Sequence, residues 1–340
     1  MGRREALASL ISALGWEPEA DTTSGLISQL SRMVQVTDGG LSVKEAPSYV
    51  AKVGKRGYES IDDAIAAGGT VRLLKDLTEG ITIPKGASVR LILNGHSITT
   101  TGKAITNNGS LVISGTGVVK SADDCAIVAM TDSLTVIESG TFESVEGAVI
   151  TGRNRNATVT INGGTFSATD NAVLAGNGTE GFGGNTFNVS GGTFTGGITS
   201  DGYVACGIYA PNDNTVNVTG GVFNVTGGCG ICARAGRTTV SGGEFNVTGS
   251  TTGKVGDSRV VVPCSVFVFD TDAKYPALSD DDRLTVRGGS FKSEADAITC
   301  VGDTRISVYA GTFDKPVDEK YCAAGLKPKQ NADGSYTVGR

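Results

Sequence analysis

Val159-Thr-Ile-Asn-Gly-Gly-Thr-Phe166 is a β-branched run, a glycine turn, and then a small residue ahead of phenylalanine. The phrase returns along the chain. Phe142, Phe166, Phe194, Phe223, Phe245, Phe291 and Phe313 each close a copy, and Ile98 and Val118 hold the equivalent place in two weaker early copies. A second column follows, a small residue before Ile or Val: Ala104-Ile105, Ala126-Ile127, Ala148-Val149, Ala172-Val173, Gly207-Ile208, Gly230-Ile231, Ser265-Val266 and Ala297-Ile298. Such self-similarity marks a repeat architecture in which no unit can bury its apolar face alone. Within the quoted copy Val159 and Ile161 share one face and Thr158 and Thr160 the other, which is the period of a strand. At about 4.8 Å per coil, nine coils make a rod roughly 40–45 Å long.

The closing residues are separated by 20, 24, 24, 28, 29, 22, 46 and 22 residues. The long interval resembles a skipped copy, but Ser265-Val266 lies inside it, with extra chain on both sides. One coil has therefore grown two insertions and none is missing.

Fifty glycines without a Gly-X-Y period exclude collagen, and 39% hydrophobic residues exclude a disordered chain. A net charge of −6 argues against nucleic acid as a partner, since that surface needs clustered Lys and Arg. No run approaches the roughly 18 apolar residues of a membrane span, so no membrane insertion is expected. The N-terminus carries no convincing secretion signal. With Met1 as the start, the expected location is the cytosol or an assembled particle that leaves it.

Seven cysteines are an odd set. Cys125, Cys206, Cys229 and Cys264 each precede a small-Ile/Val pair, so they are expected in one ladder, the last three on consecutive coils and kept as thiols. Cys229-Gly-Ile-Cys232 has zinc-knuckle spacing, yet no second such pair or nearby His completes a site. The sequence therefore gives no metal and no cofactor.

Ahead of the repeats, Leu7, Leu10, Ile11 and Leu14 form one helical face, stopped by Gly15. Leu26, Ile27, Leu30, Met33 and Val34 form a second face, after a capping stretch at Asp21–Ser24. This short helical hairpin, residues 1–35, is too small to be stable alone, and its apolar faces need a partner: the rod, another copy, or another protein. Residues 36–57 read as a linker with one strand. Residues 58–314 are the β-helix, which opens on an amphipathic capping helix with Ser60 as its cap and Ile61, Ala64 and Ile65 on one side; residues 315–340 close the chain.

The repeats, together with Leu91-Ile-Leu-Asn-Gly-His-Ser-Ile98 and the C-terminal Tyr321-Cys-Ala-Ala-Gly and Asn331-Ala-Asp-Gly-Ser-Tyr-Thr-Val338, resemble right-handed parallel β-helix proteins of the pectin-lyase-like architecture. The version most similar is the GGTF-type repeat of gut bacterial surface proteins and phage head-fibre, decoration or tailspike proteins. The resemblance covers about residues 50–340 and implies an all-β right-handed solenoid; it implies little about function, because this fold hosts lyases, adhesins and spikes alike. The first 30 or so residues resemble particle-binding segments of head-fibre proteins. By that likeness the partner is a phage capsid or other virion protein, and self-association is as a homotrimer.

A catalytic set is hard to assemble. Glycoside hydrolysis needs two spaced carboxylates, but Asp123 and Asp124 are adjacent, and an Asp pair in a turn more often bonds its own backbone. His96, the only histidine, lies in an Asn-Gly-His turn. Binding is better placed on the loops that exceed the minimum repeat, about 175–184, 195–204, 249–261 and 268–282. There Tyr203, Asp257, Asp270, Asp272 and Tyr275 suit stacking on and hydrogen-bonding a sugar. The expected function is a non-enzymatic virion accessory protein: Leu7, Leu10, Ile11, Leu14, Leu26, Ile27 and Leu30 attach it, and the rod presents loops to host-surface or mucosal glycans. The alternatives are a polysaccharide lyase or hydrolase of tailspike type, and a bacterial surface adhesin.

Overall fold

In the computed structural model, which describes residues 2–37, 40–44, 48–169, 172–196, 206–249, 253–255, 260–262, 265–270, 283–302 and 305–340, the repeats stack as a parallel β-solenoid. Each coil contributes three short strands. The first follows the β-branched run (Thr158–Ile161) and the second holds the phenylalanine (Thr165–Ala168). The third belongs to a nine-stranded sheet running from Ile81–Ile83 to Ile298–Val301. Every strand of these columns pairs in parallel with its counterpart one coil away, for example Thr158↔Thr186 and Phe166↔Phe194. Nine rungs enclose about eight turns, or roughly 38 Å at the parallel-strand spacing, a little under the length read from the repeats.

The interior follows from alternation. Val159, Ile161, Val216 and Val218 are buried while Thr160 and Asn217 between them face outward. The phenylalanines form one continuous stack, with ring centroids 5.0, 4.8, 4.4 and 4.5 Å apart from Phe142 to Phe245. The small residues of the second column sit opposite it: a Cβ on Gly207 would lie 2.9 Å from the Phe223 ring, and one on Gly230 would lie 2.9 Å from Phe245. Small faces large across the core, and this is why the two columns recur together.

Register corrects three details of the sequence reading. Val119, not Val118, pairs with Ile98 and Phe142, because Val118 takes the outward place beside Ser97 and Thr141. The inward column of the third sheet runs Ile105, Ile127, Ile150, Leu174, Ile208, Ile231, Phe267 and Ile298, so the pairs at 148–149, 172–173 and 265–266 were set one residue early. In those copies a second apolar residue adjoins the inward one, and composition alone cannot say which turns in. For the same reason Ser265, not Cys264, is level with Cys229; Cys264 itself lies outside the described residues.

The long interval contains no extra coil, since Phe245 pairs with Phe291 and Ile231 with Phe267. Its first insertion carries a small antiparallel pair, Gly253–Val255 with Val260–Val262.

Both ends of the solenoid are closed. Ala51–Val53 and Arg56–Tyr58, inside the stretch read as a linker, pair antiparallel with each other, and Ala51–Val53 also pairs with Gly69–Leu73. A helix, Ile61–Ala67, capped by Ser60, buries Ala64 and Ile65 against the first coil. At the far end Tyr336–Gly339 pairs antiparallel with the last strand, at Thr312 and Phe313, and buries Val338. These antiparallel covers occupy the edges at Gly69–Leu73 and at Thr312–Phe313, which could otherwise pair with another chain.

Buried asparagines brace one corner. Asn185 Nδ2 donates to the carbonyls of Gly152 and Asn154, each at 3.2 Å, and its Oδ1 accepts from Ala157 N at 3.0 Å. Gly152 is glycine because a Cβ there would lie 2.8 Å from the Asn185 amide carbon. Removing the amide strands buried groups at about 1–3 kcal/mol each. Asn185→Ala is therefore expected to lower unfolding stability by about 2–3 kcal/mol; a shift in the denaturation midpoint no larger than that of a surface substitution would contradict the brace.

Candidate functional site

The N-terminal module is built apart from the rod. Helix α1 (Arg3–Ala13) and helix α2 (Thr23–Met33, with Thr22 Oγ1 accepting from Gly25 N at 3.1 Å) enclose Ile11, Leu26 and Met33 as a small core of their own. Gln29, fully buried, ties the connection: its Nε2 donates to Glu17 O at 2.6 Å and its Oε1 accepts from Glu19 N at 2.9 Å. Strands β1 (Val34–Thr37) and β2 (Gly40–Val43) then form an antiparallel hairpin in which Val34 faces Val43 and Val36 faces Leu41. Directly opposed residues share a face, so all four side chains project from one side and Gln35 and Ser42 from the other.

That apolar side is open to solvent, with Val36 83% and Leu41 77% exposed. Among the described residues, seven of the ten large apolar side chains that stand exposed belong to residues 10–43. The other described residues therefore give this face no apolar cover. Polar contacts join the module to the antiparallel strands that cap the rod: Tyr49 Oη donates to Glu19 Oε1 at 2.8 Å and Lys55 pairs with Asp21, and the intervening cleft is lined by Arg4, Glu5, Glu17 and Lys52 together with Ala8, Pro18, Ala20 and Leu26. Burial, followed by the bond to Glu19, pushes the Tyr49 phenol up to about 12.

The seven side chains expected to attach the protein divide. Ile11 and Leu26 are interior, with Leu7 and Leu30 half-buried against them, whereas Leu10, Leu14 and Ile27 are exposed. The four residues of the hairpin face were missed as a site. Their signal is in the chain: Val34-Gln-Val and Leu41-Ser-Val alternate around Asp38-Gly39-Gly40, which is a hairpin pattern.

On the rod, Tyr203, Asp257, Asp272 and Tyr275 lie outside the described residues, and Asp270 ends the strand Phe267–Asp270, level with Val301. The loop at 175–184 is held down: Arg155 Nε donates to Gly181 O, and Asn212 Nδ2 donates to Phe182 O at 3.1 Å. Asp124 Oδ1 accepts from Cys125 N at 2.8 Å and lies 3.6 Å from Arg153, as expected of a turn carboxylate. His96 Nδ1 is 3.4 Å from Asp76, whose pKa is held low mainly by the backbone N–H of Ser97. Arg90–Glu138 and Lys120–Glu143 pair across coils at 2.7 and 2.9 Å. Outward asparagines stack along the rod, Asn217 donating to Asn188 and Asn246 to Asn224.

Family models, curated proteins and solved structures were compared with the chain. None of the three comparisons gives a match. The assignment of this β-solenoid therefore rests on its own geometry. Among the described residues no helix is long and apolar enough to cross a membrane.

Cys125, Cys206, Cys229 and Cys232 occupy the other face of the nine-stranded sheet, whereas Cys300 and Cys322 pack against the main core. The isoleucine column points into the core, and beside it Val128, Ala175, Cys232 and Val268 join Cys125, Cys206 and Cys229 in a second buried cluster outside the solenoid. The sheet is thus buried on both faces here, as parallel sheets generally are. Cys206 and Cys229 are in register on adjacent coils with their sulphurs 3.3 Å apart, and the sulphurs of Cys206, Cys229 and Cys232 all lie within 4.8 Å of one another. Cys125 stands three coils from Cys206 in the same column, with Ala148 and Ala172 between them. Burial, then the neighbouring Asp124, pushes its thiol up to about 12.

Proposed function

We propose that this protein is a non-enzymatic attachment rod of the virion accessory class, similar to a head-fibre or decoration protein. Its N-terminal module docks on a larger assembly, a capsid or other virion protein, and its solenoid, of the right-handed pectin-lyase-like kind, holds loops toward host-surface or mucosal glycans. The observation that carries the reading is the open apolar face of Val34, Val36, Leu41 and Val43, beside Leu10, Leu14 and Ile27. A two-stranded hairpin is marginal by itself, and a contiguous exposed apolar patch marks a protein–protein contact. The capped, rigid solenoid suits a spacer, and the extended coil between Phe245 and Phe291 is the natural place for glycan contact.

The double variant Val36→Glu, Leu41→Lys in the full chain tests this. The rod should keep its circular dichroism and melting temperature, while purified particles from the native source, which carry the wild-type chain, should no longer take up the variant. If wild-type protein fails to associate with particles, the reading falls. Trimerisation of the wild type that the variant abolishes would instead assign the face to further copies of this chain. Sustained release of new reducing or unsaturated ends from capsule or mucin glycans would replace the non-enzymatic reading altogether.

A further inference from the structure

We propose that Cys206, Cys229 and Cys232 form a three-thiolate binding site for a thiophilic closed-shell cation, zinc(II) or copper(I). The inference is independent of the N-terminal reading. Soft thiolates select these ions, and among the described residues this is the one group of three or more metal-ligating side chains whose donor atoms converge. The β-ladder provides the convergence. Register sets Cys206 directly beside Cys229 at the rung spacing of about 4.8 Å, and the two residues between Cys229 and Cys232 bring a third sulphur from the same strand.

The dimensions fit a metal. With zinc–sulphur bonds of about 2.3 Å, tetrahedral ligands stand roughly 3.8 Å apart. The three sulphurs lie within 4.8 Å of one another, with the shortest separation 3.3 Å, so side-chain adjustments of well under 1 Å would equalise them around an ion. All three are at most 2% exposed, which places the ion out of reach of bulk water.

Charge is also provided for. Binding displaces three protons, M(n+) plus three thiols giving a tris-thiolate of charge n−3 and three protons. Zinc leaves one negative charge and copper(I) two. Arg234, 4% exposed, lies two residues beyond Cys232, just past the end of its strand, and its Nη1 donates to Tyr209 Oη at 3.3 Å. A buried guanidinium beside the thiolates offsets that charge in a medium where it is worth most.

The test uses the full chain, reduced and kept anaerobic, titrated separately with zinc(II) and copper(I) and followed by native mass spectrometry, competition with a chelator, and a count of alkylatable thiols. We expect one ion per chain, three thiols whose alkylation slows in the metal-loaded chain relative to the metal-free one, and affinity that rises with pH because protons are released. Second-shell changes already cost about 10–100-fold in metal affinity, so Cys206→Ser, Cys229→Ser or Cys232→Ser should each weaken binding by roughly 100-fold or more. Cys125→Ser and Cys300→Ser should bind like wild type. Whichever ion binds at one equivalent identifies the cation. The thiol count on wild-type protein decides the matter even if a variant fails to fold. No stoichiometric binding of either ion, protection of other cysteines, or a Cys206–Cys229 disulfide that forms in place of metal binding would overturn the proposal.

Discussion

Phe223→Ala is expected to cost about 3–5 kcal/mol, the range for deleting a buried aromatic side chain. Phe223 is fully buried, its ring centroid 4.4 Å from Phe194 and 4.5 Å from Phe245 with nearly parallel planes, and Gly207 packs against its edge. Nothing near it can swing in to fill the space, because the flanking rings are held by their own coils. Phe142→Ala is the comparison. Phe142 has a ring on one side only, Phe166 at 5.0 Å, with Val119 on the other. An aromatic pair adds about 0.5–1.5 kcal/mol beyond burial, so the central substitution should be the more damaging by about that amount. Urea denaturation of both variants, with limited proteolysis to locate the loosened coils, measures the difference. Equal losses would show that the stack contributes through burial alone.

Gly220→Ala should cost about 3 kcal/mol or more, above the usual range for an added methyl because the obstruction is backbone. A Cβ on Gly220 would lie 2.3 Å from the carbonyl oxygen of Ser190 on the preceding coil. The coils would have to separate there, yet the turn is held on both sides by Thr219 N to Val189 O at 2.8 Å and Val222 N to Gly192 O at 2.9 Å. Its partner Gly221 is glycine for another reason, a φ of +96°. The double glycine thus supplies a close approach first and a left-handed turn second. Gly102→Ala is the control: nothing lies within 4 Å of its would-be Cβ and its φ is ordinary, so the change should be neutral or slightly stabilising. A Gly220→Ala protein as stable as Gly102→Ala would refute the argument.

The strand alternation, the phenylalanine column and the single extended coil are all read directly from the chain, because each is imposed by local rules. A side-chain period of two and a glycine turn need no distant partner. Both N-terminal helices and the capping helix were equally legible from their apolar spacing and caps. The hairpin face at 34–43 is legible too, in its alternation about Asp-Gly-Gly, but helical spacing assigns Val34 to the second helix and leaves Val36, Leu41 and Val43 in a linker with one strand; pairing places Val34 at the start of the hairpin instead.

Other features needed the coils to be set against one another. Whether Val118 or Val119 turns inward, and whether Ser265 or Cys264 stands beside Cys229, are one-residue choices that only pairing resolves. Asn185 looks like any loop asparagine until its amide meets carbonyls more than 30 residues earlier. The third thiol is the plainest case. Cys229-Gly-Ile-Cys232 had no visible complement, since Cys206 is 23 residues away and comes level with Cys229 only because the intervening coil has the length it has. The sequence by itself determined the solenoid, its repeat and its irregular coil, because strand period and turn chemistry act within a few residues. Tertiary structure decided which side chains become neighbours, because that depends on the summed length of each coil, and one residue more or less moves a side chain to the other face.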